Sequence, residues 1–79
     1  MITTIILNDD VLERNIADAK WQINYHETKL KEFKMLLEMY NKADGFEQQI
    51  SDTEWNIKHN MEKLEDHTLI LRALKQIEL

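Results

Sequence analysis

The chain has 79 residues, no Cys, no Pro, one Gly at position 45 and a formal charge of −5. That length bounds it to one domain whose core supplies little stability beyond chain entropy, and without Cys neither a disulfide nor a thiolate zinc site can add to it. Regular helix packing and a second copy of the chain remain as sources of stability, and a composition rich in Leu, Ile, Glu, Lys, Met, Ala and Gln favours helices.

Residues 1–9 read as an N-terminal extended arm. Ile2, Thr3, Thr4, Ile5, Ile6 and Leu7 are β-branched or apolar and stop at Asn8-Asp9-Asp10, which predicts a short β-strand. A lone strand cannot satisfy its own backbone groups. It pairs with the same segment of a second subunit, adds to the sheet edge of a partner, or lies as an arm over the end of a helical bundle. The segment is too short to span a bilayer and lacks the basic flank and cleavage site of an export signal. The chain is therefore expected to be cytoplasmic, in the host cytoplasm if phage-encoded, with no membrane partner.

Residues 10–79 read as a helical hairpin, with helix 1 over about 10–42, a turn at 43–45 and helix 2 over about 45–78. Apolar positions step by four and three through Leu12, Ile16, Ala19, Ile23, His26, Leu30, Phe33, Leu37 and Tyr40, and again through Phe46, Ile50, Thr53, Ile57, Asn60, Leu64, His67, Leu71 and Leu74. This is a heptad seam. Ile16, Ile23, Leu30, Leu37, Ile50, Ile57, Leu64 and Leu71 occupy its a positions, and the polar exceptions His26, Thr53, Asn60 and His67 all fall at d. Asp10 and Asp44 are placed to cap the two helices, with Glu13 and Glu47 three residues on as in a capping box. Glu27/Lys31, Glu38/Lys42 and Glu54/Lys58 are acid-before-base pairs on solvated faces.

The two halves echo each other at an offset of 34 residues: Ile16, Asp18, Trp21, Ile23, Lys29 and Leu30 return as Ile50, Asp52, Trp55, Ile57, Lys63 and Leu64. In an antiparallel coiled coil an a residue faces a d residue. The pairs Ile16/Leu74, Ala19/Leu71, Ile23/His67, His26/Leu64, Leu30/Asn60, Phe33/Ile57, Leu37/Thr53 and Tyr40/Ile50 are all centred on residue 45, the lone glycine and the natural pivot of a tight reversal. A tetratricopeptide array shares the period but needs a break inside each unit, and none is present. The resulting fold class is an all-α antiparallel two-helix hairpin, coiled-coil-like, with a short N-terminal β-strand and dimerisation into a four-helix bundle. In architecture alone, with no shared motif, the plan resembles the subunit of small dimeric four-helix regulators of the Rop type, which implies nothing about RNA binding here.

A two-helix seam leaves many apolar residues outside it. Trp21, Tyr25, Met35, Leu36, Met39, Trp55, Met61, Leu69 and Ile70, together with Ile77 and the arm residues Ile2, Ile5, Ile6 and Leu7, are the candidates for further interfaces. They are expected to be covered by a second copy of the chain, in a homodimer or higher assembly, with part of the surface docking one protein target. His26, Asn60 and His67 are the candidates for setting register and oligomeric state, since polar residues in a seam trade stability for specificity. His59 and Glu62 form the only helical His/carboxylate pair at ligand spacing, a weak signal read as a surface pair. No metal or cofactor is implied. Ser51 is the only serine, no phosphate-binding loop or catalytic constellation is visible, and no enzymatic activity is expected.

The formal charge is −2 over residues 1–10, +1 over 11–43 and −4 over 44–79, so phosphate neutralisation and direct nucleic-acid binding are disfavoured. The expectation is a non-catalytic protein-binding module, of a kind that fits a small phage or mobile-element inhibitor occluding a host protein. A structural or assembly coiled coil and an acidic nucleic-acid mimic stand beside it.

Overall fold

A computed structural model, describing residues 9–78, shows two long helices folded back on each other. Helix α1 spans Asp9–Asn41 and α2 spans Glu47–Glu78. With neither Pro nor Gly inside them, both run unbroken, and a helix of 33 residues is about 50 Å long. The result is a rod with extents of 62 × 17 × 14 Å. Its radius of gyration is 18.0 Å, against about 12 Å for a compact chain of this length. Among the described residues there is no strand. The strand expected from residues 2–7 lies outside them.

The seam forms where the heptad pattern places it. Ile16, Ala19, Leu30, Thr53 and Asn60 are buried. Leu12, Ile23, His26, Phe33, Leu37, Tyr40, Ile50, Ile57, Leu64, His67, Leu71 and Leu74 are half-buried. The register is visible at His26, whose ring meets both Asn60 and His67. Those two residues bracket Leu64, the partner that a hairpin centred on residue 45 assigns to His26.

The reversal departs from expectation in its details. The last turn of α1 tightens through bonds of three-residue span, with Lys42 N–H donating to the Met39 carbonyl at 3.2 Å and Ala43 N–H to the Tyr40 carbonyl at 3.3 Å. Gly45 then takes a φ of +89°, the one positive value among the described residues. Helix α2 starts at Glu47 rather than 45, and the Ile50 N–H donates to the Phe46 carbonyl at 2.8 Å, which makes Phe46 the N-cap position. Asp44 therefore lies two residues upstream of the cap assigned to it. Asp10 is likewise the second residue of α1 and not its cap.

Phe46, expected in the seam, is more than one-third exposed and packs instead on the Tyr40 ring, centroid to centroid 5.3 Å. The chain is not yet helical there, so the side chain covers the end of α1 and does not enter between the helices. Of the ion pairs expected on the solvated faces, Glu38–Lys42 closes at 3.6 Å. Among the described residues the other pair within reach is Lys29–Glu32 at 3.3 Å, and Glu27/Lys31 and Glu54/Lys58 stay apart.

Candidate functional site

A two-helix hairpin has two broad sides and two outer ridges, and the heptad assigns every residue to one of them. On one side the positions next to the seam are Gln22, Lys29 and Leu36 of α1 and Asn56, Lys63, Ile70 and Ile77 of α2, with Val11, Tyr25 and Met39 one step further out. On the other side stand Lys20, Glu27 and Lys34 against Glu54, Met61 and Thr68, with Asn24, Lys31, Lys58 and Glu65 beyond them. Trp21, Met35, Trp55 and Leu69 lie on the ridges opposite the seam.

Exposure separates the two sides. Val11, Tyr25, Met39, Ile70 and Ile77 are exposed, and Leu36 half-buried, on the first side, whereas Met61 is the one exposed large apolar residue of the second. The ridge residues Trp21, Met35, Trp55 and Leu69 are each at least half exposed. The candidates Trp21, Tyr25, Met35, Met39, Trp55, Met61, Leu69 and Ile70 are thus all at the surface. Leu36 is partly covered, and Ile2, Ile5, Ile6 and Leu7 lie outside the described residues. Val11 is an addition that the seam pattern passed over, because it sits at a helix start where no full turn precedes it.

The two sides also differ in relief. On the apolar side Gln22, Lys29, Leu36 and Asn56 are half-buried and fill the groove between the helices. Lys29 lays its stem there, with its ammonium 5.7 Å from the centre of the Tyr25 ring and 3.3 Å from Glu32. On the charged side the flanking residues are all exposed, and the groove stays open. One stretch of about 450 Å³ has a floor of Leu37 and Ile57 and a rim of Met61, Glu54, Lys58, Glu62 and Glu65. A separate hollow of about 330 Å³ lies on α1 alone, lined by Leu30 with Asn24, Glu27, Thr28, Lys31 and Lys34.

Aromatic pairs line the surface. Trp21 stacks on Tyr25 at 5.4 Å and Trp55 on His59 at 4.9 Å, each pair one helical turn apart. His59 is thereby engaged with Trp55. Among the described residues no group of three or more His, Asp or Glu is arranged to hold a metal ion.

Inside the seam, His26, Asn60 and His67 come together. His26 Nδ1 donates to Asn60 Oδ1 at 2.7 Å, and the amide nitrogen of Asn60 donates to the Asn56 carbonyl at 2.8 Å. The amide oxygen can only accept, so the proton is assigned to Nδ1 of His26. The His26 and His67 rings stack at 5.6 Å with 15° between their planes, and Tyr25 closes on His26 edge-on at 5.2 Å. Thr53, the fourth polar seam residue, turns its hydroxyl onto the Gln49 carbonyl at 2.7 Å. Among the described residues no buried side-chain polar atom is left without a partner.

No family model matches the chain, and no curated protein or solved structure matches it significantly. Among the described residues no helix is long and apolar enough to cross a membrane.

Proposed function

We propose that the hairpin is a non-catalytic protein-binding module, which associates with itself and occludes one protein target. The carrying observation is the imbalance between core and surface. Three apolar residues, Ile16, Ala19 and Leu30, are buried among the described residues, while eleven large apolar side chains are exposed. Apolar surface on this scale marks an interaction site in a small protein. Trp21, Tyr25 and Trp55 suit that role because they offer large area at low cost in side-chain entropy. The rod presents these groups preorganised, so ordering costs on binding are small.

Residues 2–7 complete the reading. Their β-branched sequence supports an extended segment that adds to the edge of a sheet in the target, where backbone hydrogen bonds give affinity. The test is saturable capture of one protein by the immobilised hairpin from an extract of its native cell, identified by mass spectrometry. The direct complex is then rebuilt from purified components. Capture is expected to survive added nucleic acid. Capture that collapses with salt and is competed by nucleic acid would replace this reading with an acidic mimic. A hairpin that captures nothing reproducibly would favour a purely structural role.

A further inference from the structure

The exposed apolar residues do not share one environment, and the difference decides which surface meets which partner. Val11, Tyr25, Leu36, Met39, Ile70 and Ile77 follow one side of the rod from its open end to its turn; Val11 and Met39 are about 42 Å apart along α1. The other side has Met61 alone. We propose that the apolar side is covered by a second copy of this chain, packed face to face into a four-helix bundle, leaving the charged side and its open groove for the target. The inference rests on the protein-binding reading and names the surface that serves each partner.

Area supports a copy as the occupant. A compact monomer of 9.5 kDa exposes about 5,000 Å². This chain exposes 6186 Å². The excess, about 1,100 Å², is of the order that each partner hides in a stable interface, about 800 Å². Apolar groups spread along the length of a rod, interrupted by Gln22, Lys29, Asn56 and Lys63, are covered together by a partner of the same length, and a second rod supplies one.

Charge points the same way. The heptad places Lys29 and Lys63 on the apolar side against Asp18, Glu32, Asp52 and Asp66, so a copy can set its lysines on its partner's carboxylates. The filled groove on that side offers a flush surface for packing. The open groove on the other side, rimmed by Glu54, Lys58, Glu62 and Glu65, does not.

Three substitutions at exposed positions, none in the intrachain seam, test the assignment: Tyr25→Glu and Ile70→Glu on the apolar side, and Met61→Glu on the charged side. Light scattering across micromolar concentrations is expected to report twice the chain mass for the wild type and Met61→Glu. Tyr25→Glu and Ile70→Glu should fall to the monomer mass, because each would bury a carboxylate in an apolar interface.

If the apolar-side variants unfold instead, the wild-type melting temperature decides. A rise with protein concentration that Met61→Glu retains supports the proposal, since subunit association then stabilises the fold without the charged side, and a constant value overturns it. A dimer broken by Met61→Glu but not by Ile70→Glu would move the self-interface to the other side and sink the assignment. Target capture by Ile70→Glu would still stand as evidence for the protein-binding reading. A wild type that is monomeric at every concentration, yet captures a target, would overturn this inference alone.

Discussion

Asn60 is a buried amide in a seam that Leu would fill more tightly, and its hydrogen bonds explain how it is tolerated. Its oxygen accepts from His26 and its nitrogen donates to the Asn56 carbonyl, so both ends of the amide are engaged. Asn60→Leu alone removes the acceptor of His26 Nδ1 inside the seam, and stability is expected to fall by about 1 kcal/mol in urea unfolding. Replacing His26 by Leu as well removes both partners and should return stability to the wild-type value or above it. The two substitutions are therefore non-additive in a double-mutant cycle. A single Asn60→Leu variant more stable than wild type would show that the bond contributes nothing. The heptad places His26, Asn60 and His67 at d, but in separate layers, opposite Leu64, Leu30 and Ile23. Their meeting depends on side chains long enough to reach across adjacent layers, and residue spacing does not record reach. The two-sided surface is closer to the sequence, because it follows from the same heptad once the positions flanking the seam are sorted by polarity.

The elements are more legible than their ends. Both helices and their pairing follow from a repeat of three and four that no Pro or Gly interrupts, and the reversal at Gly45 follows from that pairing. The cap of α2 was not legible, since Asp44 is a better capping residue than Phe46 by type. Position 46 is chosen by the path of the turn and by the packing of Phe46 on Tyr40 at 5.3 Å. Asp44→Ala is accordingly expected to change stability by less than about 0.5 kcal/mol, as for a surface residue with no special role. Thermal melts at fixed concentration check this, and a loss of a full capping bond would restore Asp44 as the cap. Gly45 is different. A Cβ there meets no atom within 4 Å, so the barrier to substitution is conformational and not steric crowding by neighbours. At a φ of +89° an L-residue is strained, and Gly45→Ala should lower stability by about 1–2 kcal/mol. Gly45→Asn should lose less, because Asn tolerates positive φ. Equal losses for Ala and Asn would point away from backbone strain.

At the scale of the whole molecule, a rod of 62 × 17 × 14 Å buries few side chains, Ile16, Ala19, Leu30, Thr53 and Asn60 among the described residues. Its stability and its binding are then aspects of one surface, and assigning the apolar side to a second copy leaves residues 2–7 available for the target. Deleting residues 2–7 is expected to leave helical content unchanged, because both helices begin downstream of the deletion. The dimer mass should also persist, since Tyr25, Leu36, Met39, Ile70 and Ile77 are untouched. Target capture should be lost. Ile5→Pro should reproduce the loss without shortening the chain, because Pro removes a backbone donor from any ladder the segment joins. Circular dichroism, light scattering and capture on the same three proteins separate the contributions. A truncated chain that turns monomeric would place the segment between subunits and not on the target. A truncated chain that stays dimeric and captures its target at wild-type levels would make the segment passive, and the recognition surface would then reduce to the open groove along Leu37, Ile57 and Met61 and the ridges at Trp21 and Trp55.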